Sequence, residues 1–263
     1  MKRRSALYFG TNTKLSMTDM ETIDFLSELR DETLHIPKEK VMLFVIPSYT
    51  VLERAGRILD GSGIVLGAQN MCWDERGQYT GEVSPLSLRE IGVSVIEIGH
   101  SERRHIFHEE DKEERKKVCA ASEHGFMPLL CIGETEEDRT YNISDERLAI
   151  QLKIGAGALT EDQARSLIVA YEPVWAIGVN GVPAEPEYVE QRHKNIRRIL
   201  TEMFGKEAGA DIPILYGGSV NMKNAEDYIK CHDVDGLFVG RSAWSAKGFA
   251  AMVSHIQPIF ERS

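Results

Sequence analysis

The stretch LIVAYEPVWAIGVNGVPA, from Leu167 to Ala184, decides the fold prediction for this chain. It opens with the apolar run Leu167–Tyr171, which is typical of a strand buried on both faces of a sheet. Glu172 and Pro173 follow directly, and the strand must end there because proline cannot pair in a ladder. The remainder, Gly178–Ala184, lacks periodicity and predicts a loop. A carboxylate at a strand tip, followed by a loop that can close over it, indicates a base that works away from water; the alternative is a solvated or capping acid.

The same alternation of strand and helix runs along the whole chain, without a linker or a break in composition. The predicted strands are Ala6–Gly10, Val41–Ile46, Ile64–Ala68, Val93–Ile98, Met127–Ile132, Leu167–Tyr171, Ile212–Tyr216 and Asp235–Val239. The predicted helices are Met20–Leu29, Thr50–Leu59, one that opens at Pro85, Lys112–Glu123, Asp145–Ile154, Glu185–Leu200, and two that begin at Asn224 and Gly248. The region Thr135–Ser144 is predicted as loop or frayed helix.

Eight strands that are each followed by a helix predict an α/β fold, a closed parallel (β/α)₈ barrel, as one domain over residues 1–263. An open doubly wound sheet is the alternative, but no Gly-x-Gly-x-x-Gly follows an early strand. The carboxyl ends of the strands form one face of such a barrel, and that face carries the site. The polar residues expected to converge there are Asn12, Lys14, His100, Cys131, Glu134, Glu172, Ser219 and Gly240.

Composition narrows the class of protein. The 263 residues are 42% hydrophobic and 27% charged, which suits a globular protein with a large core. The formal net charge of −10 argues against nucleic acid or an anionic membrane as partner. No apolar run approaches the roughly 20 residues of a membrane span. The four cysteines are scattered, which favours a reducing, cytoplasmic compartment without disulfides or structural zinc.

Glycine-rich segments after the last two strands indicate a phosphate site. Gly217-Gly218-Ser219 and Gly240-Arg241-Ser242 follow the seventh and eighth predicted strands, where barrels often bind phosphate with backbone N–H groups. Lys14 supplies local positive charge in an acidic protein. Because Lys14 and backbone dipoles provide the charge, we expect neither a metal nor another cofactor.

Four segments together resemble the signature segments of the triosephosphate isomerase family, whose fold is the TIM barrel. They are Gly99–Arg104 (GHSERR), Cys131–Thr135 (CIGET), Tyr171–Gly178 (YEPVWAIG) and Tyr216–Ser219 (YGGS). The resemblance covers essentially the whole chain. It implies an aldose–ketose isomerase that moves a proton through an enediolate on a small sugar phosphate, with a role in glycolysis and gluconeogenesis.

The same resemblance implies roles for single residues. Glu172 would be the proton-abstracting base, His100 the electrophile, and Lys14 and Asn12 substrate contacts. Gly178, Ser219 and Gly240 would hold the phosphate, and Glu134 and Trp175 would steady the open lid. Supporting residues would include Glu102, Cys131 and Tyr216. From the residue types themselves, we expect Glu102 and Arg104 to form a structural ion pair or to contact a neighbouring subunit. The long loop around Thr80 would dock into a second subunit, which implies a homodimer.

Some segments depart from the family pattern and resemble a paralogous group, the erythrulose-phosphate isomerases, which act on four-carbon ketose phosphates. The departures are Asn12–Ser16 (NTKLS), the lid Gly178–Ala184, and Gly240-Arg241 in place of two glycines. Arg241 is expected to contact phosphate, to pack on Trp244, or to point into solvent. Because the residues assigned to chemistry are kept, a triose phosphate is slightly favoured as substrate, and L-erythrulose 1-phosphate is the alternative. A catalytically silent barrel used as a binding protein is a further alternative, which predicts loss of Lys14, His100 or Glu172; all three are present.

Overall fold

The computed structural model describes residues 6–178 and 180–262. Within these ranges eight parallel strands form a closed barrel in chain order, and the last strand pairs with the first. The strands are β1 Leu7–Asn12, β2 Val41–Ile46, β3 Ile64–Ala68, β4 Val95–Ile98, β5 Met127–Ile132, β6 Ile168–Tyr171, β7 Ile214–Tyr216 and β8 Gly236–Phe238.

Helices connect successive strands around the outside of the barrel. They are α1 Asp19–Glu32, α2 Leu52–Leu59, α3 Pro85–Glu90, α4 Ser101–His105, α5 Asp111–Glu123, α6 Glu136–Thr140, α7 Ser144–Gly155, α8 Glu161–Ala164, α9 Pro186–Asp211, α10 Ala225–Lys230 and α11 Ala246–Arg262. Short 3₁₀ turns occupy Tyr49–Val51, Val174–Ala176 and Arg241–Ala243. Across the described ranges, none of these helices is both long and apolar enough to cross a membrane.

The closed parallel barrel confirms the predicted fold class and excludes the open doubly wound sheet. All eight predicted strands are present, and their ends move by up to two residues. The predicted helix Glu185–Leu200 continues to Asp211, with a break at Gly205, whose φ of +80° suits glycine. The short helix α8 was not predicted, although Thr160 and Gln163 form a capping box at its start.

Apolar side chains fill both faces of the strands, which is why the strand sequences are almost continuously hydrophobic. One layer lies between the strands and the helices, and a smaller one fills the inside of the barrel. In the inner layer the rings of Phe44 and Phe238 stack with their centroids 5.7 Å apart. Because the interior is packed in this way, space for a ligand remains at the carboxyl ends of the strands.

Candidate active site

A cavity of about 520 Å³ opens at the carboxyl ends of the strands. Nine of the thirteen predicted site residues line it: Asn12, Lys14, His100, Glu102, Glu172, Gly178, Ser219, Gly240 and Arg241. The other four, Cys131, Glu134, Trp175 and Tyr216, are not among its lining residues. Barrel closure therefore brings together residues that are far apart in the sequence.

Glu172 directly follows β6 and is held there by the backbone, since its N–H donates to the Ile132 carbonyl at 2.8 Å. Its side chain is buried, and its Oε2 atom has no hydrogen-bond partner among the described residues. Burial raises the pKa of Glu172 to about 7, against the opposing effects of the Lys14 charge and the Cys131 thiol. A carboxylate with this pKa is a stronger base than an exposed one at neutral pH.

His100 caps helix α4 with its ring. Its Nδ1 atom accepts a hydrogen bond from the Glu102 backbone N–H at 3.1 Å. In the neutral ring Nε2 therefore carries the proton, and this atom lies 3.7 Å from Glu172 Oε2. Burial, together with the nearby charge of Lys14, lowers the pKa of His100 to about 4. The ring is therefore neutral near pH 7 and presents a donor beside the carboxylate.

Lys14 brings a positive charge to the other side of the cavity. Its Nζ atom lies 2.7 Å from Glu102 Oε1, and its backbone N–H donates to Asn12 Oδ1 at 2.6 Å. Burial acts to lower the pKa of Lys14, but the hydrogen bond that its ammonium group donates to Glu102 and the charge of Glu172 outweigh it and raise the pKa. The ammonium group stays charged and is available to attract an anionic substrate.

The expected ion pair between Glu102 and Arg104 is not formed. Glu102 pairs with Lys14 instead, and Arg104 pairs with Asp111 and Glu114. Arg104 also donates to the carbonyl oxygens of Gly99 at 2.7 Å and Cys131 at 3.0 Å. Side chains two positions apart on the short helix α4 project to different sides of it. Glu102 therefore faces the cavity, and Arg104 faces Asp111 and Glu114 on α5.

The lid base is attached to the loop after β7. Ser219 Oγ lies 2.7 Å from the Ala176 carbonyl oxygen and 3.2 Å from that of Gly181. Arg241 is exposed and donates from Nη2 to the Gly178 carbonyl at 3.2 Å. Arg241 lines the cavity and its guanidinium reaches the lid base, a contact that was not expected, while its contact with phosphate stays a prediction. Val179, which belongs to the predicted lid, lies outside the described residues.

Behind the lid, Glu134 accepts three hydrogen bonds at one oxygen. The donors are Trp175 Nε1 at 3.0 Å, Tyr188 OH at 2.8 Å and Tyr171 OH at 3.1 Å. The expected contact between Glu134 and Trp175 is thus present, and Tyr188 was missed because it lies on helix α9, outside every motif. Tyr216 packs in the same aromatic layer, with its ring centroid 6.2 Å from that of Tyr171.

Two further residues near the cavity were also missed. Gln69 Nε2 donates to Asn12 Oδ1 at 3.1 Å, and Asn12 Nδ2 donates to Glu97 Oε2 at 2.6 Å. Glu97 is fully buried inside the barrel. A single acid in the apolar strand Val95–Ile98 was the sequence signal that could have revealed it.

Comparison with known proteins places the chain among sugar-phosphate isomerases. The family model described as Triosephosphate isomerase matches residues 7–256. Three similar proteins are each named L-erythrulose-1-phosphate isomerase. That of Rhizobium etli is 41% identical over 258 residues, 98% of this chain and 95% of the relative. Those of Rhizobium rhizogenes and Rhizobium meliloti are 42% and 40% identical, covering 92% and 96% of this chain and 91% and 98% of the relatives.

Proposed function

The chain belongs to the triosephosphate isomerase family, and we propose that its substrate is L-erythrulose 1-phosphate. The observation that carries the proposal is the 3.7 Å approach of Glu172 Oε2 to His100 Nε2 in a cavity that also contains Lys14. A buried base beside a neutral donor suits proton transfer next to a carbonyl group. The choice of sugar follows the relatives and reverses the slight preference for a triose phosphate stated above.

The reaction can be written from these positions. L-Erythrulose 1-phosphate carries its ketone on C2, between the phosphate-bearing C1 and the hydroxyl-bearing C3. Glu172 removes the proton from C3, the electron pair of that bond forms the C2–C3 double bond, and the ketone oxygen takes a proton from His100 Nε2. Glu172 then returns its proton to C2 while the C3 hydroxyl gives its proton to His100 Nε2, which regains the proton it donated, so the carbonyl moves to C3 and both residues return to their starting states.

The chemistry of the product follows from the position of the carbonyl. Both C2 and C3 are internal carbons, so the product is again a ketose, with the phosphate on C4 when numbered from the other end. With a triose phosphate the same two steps interconvert an aldose and a ketose. One set of chemical groups therefore serves both substrates, and the space around the terminal CH₂OH group distinguishes them.

The phosphate would lie on the side of the cavity away from the reacting carbons. We assign it to the backbone N–H groups of Gly178, Ser219 and Gly240, with Lys14 supplying charge. The Ser219 N–H donates to the Ala176 carbonyl at 2.9 Å in this structure, so it must change partner when phosphate binds. The space beside Gly240 is open, since an added Cβ there would meet no atom within 4 Å. We assign to Asn12 and Lys14 contacts with the oxygens of the enediolate, and the scheme uses no metal or cofactor.

The test compares two substrates with the same enzyme. We expect kcat/KM for L-erythrulose 1-phosphate to exceed that for glyceraldehyde 3-phosphate by at least about 10²-fold, because a polar group that binds the extra hydroxyl is left unpaired by the shorter sugar. A higher kcat/KM for glyceraldehyde 3-phosphate would instead support a triose phosphate as the substrate. Loss of turnover with both sugars would favour a catalytically silent binding protein.

We also propose that the chain forms a homodimer through the loop around Thr80. Leu15, next to the substrate-contacting Lys14, is 97% exposed, and Tyr79 beside Thr80 is 40% exposed. Apolar side chains exposed so close to an active site suit a protein interface. Sedimentation equilibrium of the protein and of Thr80→Arg tests this: we expect a dimer that the charged substitution weakens. The four free cysteines support our prediction of a reducing, cytoplasmic compartment.

A further inference from the structure

Glu97 is a buried acid inside the barrel. It is the third residue of β4 and has no exposed surface. The inner layer of the barrel contains a cluster of buried apolar side chains and Cys131. Burying a carboxyl group is costly unless its oxygens are paired, so its contacts are informative.

One oxygen of Glu97 orients Asn12. Asn12 Nδ2 donates to Glu97 Oε2 at 2.6 Å, while Asn12 Oδ1 accepts from the Lys14 backbone N–H at 2.6 Å and from Gln69 Nε2 at 3.1 Å. Both backbone and amide donors face Oδ1, so the amide nitrogen must face Glu97. Glu97 thus determines which way the Asn12 amide points.

Through Asn12 this contact reaches Lys14. The Lys14 backbone has a φ of +52°, a left-handed conformation that is unfavourable for a residue with a side chain. The Asn12 Oδ1 atom stabilises it by accepting from the Lys14 N–H. The ammonium group of Lys14 therefore lies where it does partly because the Asn12 amide is held in place.

The other oxygen of Glu97 leads to the base. Cys131 Sγ lies 3.8 Å from Glu97 Oε1. The same thiol is within hydrogen-bonding reach of Glu172 and acts to lower the pKa of that residue. Cys131 therefore lies between the two carboxyl groups, and Glu97 contacts one neighbour of Lys14 and one neighbour of Glu172.

We propose that Glu97 is a positioning residue that holds Asn12 and Cys131 in place and thereby aligns Lys14 and Glu172 for the isomerisation. It does not line the cavity, so it acts through these neighbours and not on the substrate. The kcat/KM test of this proposal rests on the proposed function. The phosphate-binding and infrared tests rest only on the contacts described above.

We expect Glu97 to perform this role as a neutral acid. Burial and the negative charges of Glu172 and Glu102 raise its pKa well above the usual range, against the opposing charge of Lys14 and the thiol of Cys131. Because Oε2 accepts from Asn12, we place the proton of the neutral acid on Oε1, which lies 3.8 Å from Cys131 Sγ. A glutamine with its amide oxygen toward Asn12 reproduces both contacts, whereas an apolar side chain reproduces neither.

Two variants separate these cases. We expect Glu97→Gln to retain kcat/KM within about fivefold, and Glu97→Met to lower it by at least about 30-fold, since small displacements of catalytic groups cost one to two orders of magnitude. Inhibition by inorganic phosphate should also weaken several-fold in Glu97→Met only, because Lys14 moves. In the infrared difference spectrum of the unsubstituted protein minus Glu97→Gln, the C=O stretch of one protonated carboxyl group should be present, while the bands of Glu172 and Glu114 cancel because both proteins contain these groups.

Val118→Ala serves as the matched control, because it opens a cavity in the outer layer, away from the site. It should lower the melting temperature without changing kcat/KM or phosphate inhibition. The proposal is overturned if Glu97→Met keeps kcat/KM within threefold, if Glu97→Gln loses as much as 30-fold, or if the protonated band is absent. If Glu97→Met does not fold, the kcat/KM of Glu97→Gln and the infrared band still test the proposal. If neither sugar is turned over by the unsubstituted protein, the proposed function fails while phosphate binding and the infrared band still test Glu97.

Discussion

Glu172 Oε2 and His100 Nε2 face each other across 3.7 Å, from the ends of two strands that are not neighbours in the barrel. Both side chains are almost fully buried. The distance leaves the carboxylate oxygen without a hydrogen bond, so it remains free to take a proton from carbon. The geometry therefore suits Glu172 as the base and His100 as the neutral donor beside it.

Replacing Glu172 with Gln should lower kcat by at least about 10²–10⁴-fold, because the amide cannot accept the proton from carbon. The folded state and phosphate binding should be kept, since the two side chains have the same shape. Steady-state kinetics and thermal unfolding check both parts, with Glu137→Gln, an exposed acid, as control. Turnover close to that of the unsubstituted protein would mean that another group is the base.

The pH dependence of kcat/KM should follow Glu172. Its pKa is raised to about 7, so the basic form is lost as the pH falls through 7, and kcat/KM should drop about tenfold per pH unit below that. His100, with a pKa lowered to about 4, should add no second titration to the pH profile of kcat/KM near pH 7. The substrate phosphate titrates near pH 6, and the pH dependence of inorganic phosphate inhibition isolates that contribution. A flat profile down to pH 5 would contradict the raised pKa.

Trp175 should report on the lid. Its Nε1 atom donates to Glu134 at 3.0 Å, and the Arg139 guanidinium stacks on its ring at 4.1 Å. If the lid closes on phosphate, these contacts change and so should the tryptophan fluorescence. We expect the signal to vanish in Trp175→Phe and to persist in Trp73→Phe. An equal fluorescence change in both variants would mean that the change does not come from Trp175.

Arg241 should stabilise the lid base through its hydrogen bond to the Gly178 carbonyl. The contact is exposed and single, so we expect Arg241→Ala to lower kcat/KM only about 3–10-fold, with more inorganic phosphate released per turnover as the enediolate meets water. Arg241→Lys keeps a donor, so its kcat/KM should lie between that of Arg241→Ala and that of the unsubstituted protein. An unchanged ratio of phosphate to product would show that Arg241 has no part in closure.

Arg104 should matter for stability. It pairs with Glu114, which is fully buried and whose pKa burial raises to about 8. Below pH 8 Glu114 is mostly protonated, so the loss of the opposing cation in Arg104→Met should have little effect on the ionisation of Glu114 there; above pH 8 it should lower the free energy of unfolding by a further ~1.4 kcal/mol per pH unit relative to the unsubstituted protein. Glu114→Gln cannot ionise, so its loss in denaturant unfolding should not grow above pH 8. A loss in Arg104→Met that does not depend on pH would argue against an uncompensated charge as the cause.

The sequence by itself determined the barrel and most of the candidate site. Apolar runs ended by glycine, proline or a polar residue marked the eight strands, because a strand buried on both faces has few other options. Once the strands were ordered, the common face of the barrel placed Asn12, His100 and Glu172 on one rim. The signature segments supplied the expected roles, and the altered loops pointed to the four-carbon alternative.

Only the tertiary structure decided which side chains meet. Asn12 and Glu97 are 85 positions apart, and their contact crosses the inside of the barrel, where closure and strand tilt set the neighbours. The pairing of Lys14 with Glu102, in place of Arg104 with Glu102, likewise depends on which way the short helix α4 faces. The raised pKa of Glu172 and the lowered pKa of His100 come from burial, which arises when the whole chain encloses these groups.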